Sequence, residues 1–122
     1  MGPLANERRL AAMEMFVADA KAKGAQVAAG GERIGNHGYY FPVTVLTNVP
    51  DDARAMREEP FGPLALLSRV RNLDEAIEKA NSVPYGLAGY ALTNSARNAE
   101  RLAEGIEVGN LSINHFVASS AS

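Results

Sequence analysis

Two adjacent carboxylates, Glu58 and Glu59, stand directly before a short Pro-Phe-Gly-Pro segment at residues 60–63. The two prolines restrict the backbone there, and the glycine allows another group to approach closely. A carboxylate held in such a turn can accept two hydrogen bonds from a vicinal diol such as a ribose, and a neighbouring aromatic ring can cover a flat ring. A solvated loop also explains a pair of glutamates. Spacing alone does not decide between the two.

The histidines, serines and glycines of the chain do not occur in the patterns that metal, nucleophile or phosphate sites require. His37 and His115 have no neighbours at metal-ligand spacing, so the sequence predicts no metal site. The chain contains no cysteine, and no nucleophile-elbow motif surrounds Ser119 and Ser120. The glycines match neither a dinucleotide-binding fingerprint nor a P-loop. No catalytic residue is therefore predicted within the chain.

Length and composition are those of one ordinary globular domain. The 122 residues are 47% hydrophobic and 21% charged, with a formal net charge of −2. This charge disfavours nucleic acid or an anionic membrane as the main partner. With no run of 18 apolar residues and no signal-peptide pattern, a cytoplasmic location is expected.

The first half of the chain predicts a helix followed by a strand. Residues 6–23 carry apolar positions at three- and four-residue steps, with Asn6 as the N-cap and Gly24 ending the helix. Four glycines at residues 28–38 predict a flexible surface loop. Residues 39–49 are rich in β-branched and aromatic side chains, and Pro42 places this strand at an edge or a bulge.

The second half predicts alternating strands and helices. The aliphatic run 64–70 suits a strand covered on both faces, and strands are also expected at 87–93 and 108–113. Asn72 caps the helix between the first two strands, and Asn94 or Ser95 caps the next helix. This order predicts an α/β protein with a parallel βαβαβ sheet, preceded by a helix and an edge strand.

Several motifs now point to one family. The 58–63 sequence Glu-Glu-Pro-Phe-Gly-Pro resembles the E-E-x-F-G-P signature of the NAD(P)-dependent aldehyde dehydrogenase superfamily. Residues 38–46 are similar to its G-Y-[FY]-x-x-P-T-V-L segment, with Val-Thr in place of Pro-Thr. Residues 75–88 resemble its E-A-I-x-x-A-N-x-x-x-Y-G-L-A block, and residues 105–114 its closing G-x-V-x-x-x-x-I-N. The motifs occur in order along nearly the whole chain.

The resemblance implies roles for particular residues. It gives Glu59 the hydrogen bonds to the nicotinamide ribose and places Phe61 beside the ribose and nicotinamide of NAD or NADP. Glu58 has no such role. His115 and Phe116, which follow the last predicted strand, are expected near the mouth of the aldehyde tunnel.

The resemblance also implies that the catalytic residues of the family lie outside this chain. In that family a cysteine thiolate attacks the aldehyde, an asparagine and a backbone N–H stabilise the oxyanion, and a glutamate-activated water hydrolyses the thioester. The chain is therefore expected to be one partial domain over residues 1–122, with 115–122 as a frayed tail. It would be the distal part of the catalytic domain, inactive alone, without tightly bound cofactor and prone to self-association. The alternative is a stand-alone α/β binding or regulatory module that holds a nucleotide or diol at residues 59–61.

Overall fold

The computed structural model describes residues 1–116, which fall into two compact units, Met1–Arg69 and a second unit that begins at Val70. The first unit holds α1 (Glu7–Ala22), β1 (Gln26–Ala29), β2 (Thr44–Thr47), a short 3-10 helix (Arg54–Met56) and β3 (Leu64–Leu67). The second holds α2 (Leu73–Ala80), β4 (Ala88–Ala91), α3 (Ala96–Gly105) and β5 (Asn110–Ile113). The α/β class predicted from the sequence is confirmed. That residues 1–122 form a single partial domain stays a prediction.

Helix α1 packs the core of the first unit. Asn6 caps it as predicted, since its side-chain oxygen accepts a hydrogen bond from the Arg9 N–H at 3.0 Å. One face of the helix is buried, and Met13 is completely inaccessible to solvent. Its partners come from the strands and the loops that join them. The buried apolar side chains are Leu10, Met13, Phe16, Val17, Ala20, Ala25, Phe41, Leu46, Val49, Ala53 and Ala55.

Strand β2 lies at the centre of a three-stranded sheet in the first unit and not at the edge that the sequence predicts. Pro42, on which that prediction rests, lies before the strand and takes no part in its pairing. The strand pairs with β1 in antiparallel fashion and with β3 in parallel, where Thr44 lies opposite Leu64 and Thr47 opposite Leu67. The buried Thr44 hydroxyl accepts from the Gly31 N–H at 2.9 Å and donates to the Pro42 carbonyl at 3.1 Å. A polar side chain is tolerated in this core because both of its hydrogen-bonding functions are satisfied.

Three further expectations need correction. Strand β1 was not predicted, and its last two residues were expected to begin the glycine-rich loop. Its four exposed residues carry no alternation of apolar and polar side chains that would indicate a strand. The run 64–70 is not covered on both faces in this chain, since Leu67 remains 52% exposed and Val70 43% exposed. Strand β3 also pairs with β2, which precedes it, rather than with a later strand.

The second unit contains a two-stranded parallel sheet. Strand β4 pairs with β5, with Ala88 opposite Asn110 and Ala91 opposite Ile113, and α3 connects the two strands. Asn72 and Ser95 cap α2 and α3 by accepting backbone N–H groups, as the sequence predicts. Parallel pairing of β4 with β5 is confirmed, but these two strands form a sheet separate from that of β3.

The amide of Asn114 continues the β4–β5 pairing beyond the last residue of β5. Its oxygen accepts from the Thr93 N–H and its NH₂ group donates to the Thr93 carbonyl, both at 2.8 Å. The Asn114 N–H donates to the Ala91 carbonyl at 2.8 Å. The residue adopts a left-handed backbone with a φ of 62°, which asparagine tolerates better than most residues. Asn114 thus fixes the point at which the chain leaves the sheet towards His115.

Substitutions at Asn114 should separate these two contributions. Asn114→Gly removes the amide but relieves the backbone, whereas Asn114→Ala removes the amide and keeps the strained φ. We expect Asn114→Gly to lower the free energy of unfolding by about 1 kcal/mol, since exposed hydrogen bonds contribute modestly. Asn114→Ala should lower it by about a further 1 kcal/mol. Urea unfolding followed by circular dichroism measures both; an alanine variant as stable as the wild type would contradict the role of the amide.

Candidate functional site

The 58–63 turn runs from the end of the 3-10 helix to the start of β3. Its last residue, Pro63, is buried, and the Pro63 carbonyl accepts from the Thr44 N–H of β2 at 2.8 Å. The Gly62 carbonyl accepts from the Leu64 N–H at 2.8 Å. The last residue of the turn is therefore hydrogen-bonded to the sheet, while residues 58 and 59 are exposed at the surface.

Helix α1 supports the turn from one side. The Arg9 guanidinium donates to the Pro60 carbonyl at 3.3 Å. Gly62 lies against the buried Met13 side chain so closely that a Cβ at this position would overlap the Met13 sulfur. The glycine is thus needed for close approach to α1 and not for a left-handed backbone.

The 3-10 helix before the turn is also attached to α1. The Asp19 carboxylate accepts a hydrogen bond from the Arg54 N–H at 2.8 Å. The Arg54 carbonyl in turn accepts from the N–H groups of Arg57 at 3.0 Å and Glu58 at 2.8 Å. The Arg54 guanidinium lies over the Phe16 ring, 5.9 Å from its centroid. A chain of contacts thus connects α1 to the first residue of the turn.

Glu58 is occupied by a structural contact. Its carboxylate accepts from Arg54 Nε at 2.7 Å and from Arg54 Nη2 at 3.0 Å, which is the forked geometry that arginine offers to carboxylates. These hydrogen bonds hold the pKa of Glu58 below its ordinary value. The Arg54 N–H, more than the neighbouring Lys23 ammonium, likewise lowers the pKa of Asp19.

Glu59 differs from its neighbour. Its side chain is exposed, and among residues 1–116 it makes no hydrogen bond or ion pair. Because Arg54 engages Glu58, the adjacent carboxylate keeps all its acceptor positions available to a ligand. A carboxylate offers two oxygens, which matches the two hydroxyl donors of a vicinal diol.

Phe61 presents an apolar ring two residues further on. Its ring is 71% exposed, and its backbone adopts a left-handed conformation with a φ of 46°. Such a backbone is uncommon for a bulky residue, and it persists where the surroundings impose it. Here Pro60 and Gly62 on either side are both held against α1. The carboxylate oxygens of Glu59 can accept from ribose hydroxyls, and the exposed ring of Phe61 can cover a flat ring attached to that ribose.

His115 and Phe116 lie in the second unit, directly after β5. Both are exposed, Phe116 to 74%. They follow the carboxyl end of β5, which is paired in parallel with β4, and ligands commonly bind at the carboxyl ends of parallel strands in α/β proteins. Their expected place near an aldehyde stays a prediction. The rest of the predicted frayed tail, residues 117–122, lies outside the described residues.

The sequence analysis missed the residues that support the turn. No motif includes Arg9, Asp19 or Arg54. The contact between Asp19 and Arg54 also joins residues that are 35 positions apart in the chain. The only sequence signal is the helical spacing that puts residues 9, 13, 16 and 19 of α1 near one another. Over residues 1–116, no group of three or more histidine or acidic side chains is placed to hold a metal ion. None of the helices there is both long and apolar enough to cross a membrane.

The fold and the turn agree with comparisons to known proteins. A family model described as "Aldehyde dehydrogenase family" matches residues 1–122. The chain belongs to the aldehyde dehydrogenase family. The resemblance inferred from its motifs is therefore confirmed.

Three relatives show the extent of the match. A succinate-semialdehyde dehydrogenase [NADP(+)] of Deinococcus radiodurans is 43% identical over 121 residues, covering 99% of this chain and 25% of that protein. The crystal structure of a Burkholderia pseudomallei succinate-semialdehyde dehydrogenase superposes with a TM-score of 0.93 at 39% identity, covering 98% of this chain and 25% of that one. The crystal structure of an NAD-dependent aldehyde dehydrogenase from Sinorhizobium meliloti superposes with a TM-score of 0.90 at 29% identity, covering 98% of this chain and 24% of that one. The chain thus spans about a quarter of these relatives.

The lowered pKa values of Asp19 and Glu58 predict acid sensitivity of the first unit. Above their ordinary values of 3.8 and 4.5, both carboxylates are ionised in the folded and unfolded states, and their contacts contribute fully to stability. As the pH falls below those values, the unfolded chain binds protons before the folded chain does, so stability decreases. The contribution is lost once the pH has passed below the lowered folded values.

We therefore expect Glu58→Gln to flatten the loss of stability between pH 5 and pH 3, measured by urea unfolding at each pH. The matched control is Glu59→Gln, which removes a neighbouring carboxylate that makes no ion pair among the described residues. Its stability should fall with pH as steeply as that of the wild type. Equal flattening by both variants would contradict the assignment of the contact to Glu58.

Proposed function

We propose that this chain is the cofactor-facing part of an NAD(P)-dependent aldehyde dehydrogenase that oxidises an aldehyde to a carboxylic acid. In it, Glu59 accepts hydrogen bonds from the nicotinamide ribose and Phe61 packs beside that ribose and the nicotinamide. The observation that carries the proposal is the contrast within the glutamate pair, because Arg54 engages Glu58 and leaves the Glu59 carboxylate without a partner in residues 1–116. Membership of the family supports the cofactor class.

The bound nicotinamide would supply the hydride acceptor, and this chain would position it. A carboxylate and a ring on a turn held against α1 can orient a ribose without reorganising. The chain contains no cysteine, so the proposed thiol nucleophile, which would form a thiohemiacetal and then a thioester, belongs to another part of the enzyme. We expect the isolated chain to have no dehydrogenase activity and to bind the cofactor weakly. His115 and Phe116 are proposed to lie near the aldehyde.

A chimera gives a direct test of the Glu59 assignment. Residues 1–122 would replace the matching quarter of the Deinococcus radiodurans enzyme, and NADPH binding would be followed by its fluorescence. Glu59→Gln should weaken binding or slow hydride transfer about ten- to a hundred-fold, since a charge-assisted hydrogen bond contributes roughly 1.5–3 kcal/mol. Phe61→Ala should act in the same direction. Glu58→Gln is the isosteric control and should be nearly silent; an effect larger than that of Glu59→Gln would reverse the assignment.

A second candidate function is a free-standing module that holds a nucleotide or diol at residues 59–61. The same exposed carboxylate and ring support it. The two candidates differ in what the 122-residue chain does alone. Titration of the isotopically labelled chain with NADP, followed by NMR at Glu59 and Phe61, should give saturable, tight binding only if the module acts by itself.

We also propose that the isolated chain self-associates. Large apolar side chains of the second unit are open to solvent, with Leu87 89% and Leu92 67% exposed. Exposed apolar surface next to unpaired strand edges favours association with another chain. Light scattering after size exclusion, run across a dilution series, should show species larger than 13.0 kDa at high concentration. A single 13.0 kDa species at every concentration would contradict this.

A further inference from the structure

We propose that Asp19 is a positioning residue for the cofactor, acting through Arg54 on the 58–63 turn; this rests on the function proposed above. Asp19 lies on α1 and touches neither Glu59 nor Phe61 in any hydrogen bond or ion pair. Its carboxylate accepts from the Arg54 N–H at 2.8 Å, across 35 residues of chain. That hydrogen bond attaches the 3-10 helix to α1 at the first residue of the helix.

Asp19 is connected to Glu59 through Arg54 and Glu58. Arg54, once fixed by Asp19, presents its carbonyl to the Glu58 N–H at 2.8 Å. This backbone hydrogen bond does not involve the Glu58 carboxylate. It ties Glu58 to a residue that Asp19 anchors, and Glu59 is the next residue in the chain. The second anchor, from Arg9 to the Pro60 carbonyl, lies on the far side of Glu59.

Asp19 is better suited to orient this segment than to hold the unit together. The core of the first unit is built from apolar side chains such as Met13, Phe16 and Leu46, which are almost fully buried. Asp19 lies at the rim of that core, where its other contact is an ion pair with Lys23 at 3.1 Å. Partly exposed ion pairs of this kind add little to stability. Loss of the Asp19 acceptor would therefore free the entry to the turn while leaving the core in place.

Two variants and a matched control separate positioning from stability. Asp19→Ala removes the acceptor, whereas Asp19→Asn keeps an oxygen that can accept from the Arg54 N–H. Asn72→Ala in the second unit removes an equivalent side-chain acceptor, which caps α2 by binding the Glu75 N–H at 2.9 Å. It should lower the melting temperature comparably without touching the turn. Asp19→Leu, which has a similar shape and no acceptor, serves in place of Asp19→Ala if the alanine variant does not fold.

The first readout needs no cofactor and uses the 122-residue chain itself. Hydrogen exchange followed by NMR should show faster exchange of the Arg54 and Glu58 amides in Asp19→Ala. The same amides should be near wild type in Asp19→Asn and in Asn72→Ala. Unchanged exchange of these amides in Asp19→Ala would overturn the proposal, because the anchor would then not hold the segment.

The second readout is the dissociation constant of NADPH in the chimera described above. We expect Asp19→Ala to weaken binding about ten-fold, Asp19→Asn less than about three-fold, and Asn72→Ala not at all. In a Glu59→Gln background, Asp19→Ala should add little, because both act on the same ribose contact. Additive losses, or equal losses in Asp19→Ala and Asn72→Ala, would overturn the positioning role.

The Glu59→Gln variant distinguishes the two levels of the proposal. If Glu59→Gln weakens NADPH binding and Asp19→Ala does not, the positioning role of Asp19 is wrong and the proposed function stands. If Glu59→Gln has no effect, the proposed ribose contact is wrong, and the role of Asp19 falls with it.

Discussion

The burial of one face of α1 is the constraint on which the first unit depends. Met13 and Phe16 of that face are almost fully buried, and each such side chain contributes roughly 1.5–3 kcal/mol. The ion pairs near the same face are accessible to solvent, where such pairs add little to stability. Apolar packing therefore decides where the helix lies. Once the helix is fixed, Arg9 can donate to the Pro60 carbonyl of the turn, and Asp19 can accept from Arg54 in the 3-10 helix before it.

The sequence predicted those features of the fold that depend on neighbouring residues. Asn6 and Asn72 cap their helices because each side chain bonds a backbone N–H three residues later. The partners of β3 could not be inferred in the same way, since strand pairing depends on contacts distant in the chain. Strand β1 was missed because none of its residues is buried, so it lacks the alternation by which a half-buried strand is recognised.

The candidate site likewise contains residues that a local motif identifies and residues that depend on contacts distant in the chain. Glu59 and Phe61 were identified from a local motif, and the roles given to them are proposals that await the binding measurements. The residues that support them were not identified, because Arg9 and Pro60 are separated by 51 residues. The sequence also could not show which of the two carboxylates, Glu58 or Glu59, is engaged by an arginine. That difference arises from Arg54, whose guanidinium donates to the Glu58 carboxylate and not to that of Glu59.

Phe61 implies a conflict between what the backbone favours and what a ligand would need. At a φ of 46° glycine would be relaxed, whereas a bulky side chain adds about 1 kcal/mol or more of strain. The exposed ring recovers none of this by packing into a core. A library of variants sorted for thermal resistance alone would therefore drift towards glycine at this position. Under the role proposed for Phe61, sorting the same library for cofactor binding would retain phenylalanine, so the two selections would diverge at this codon.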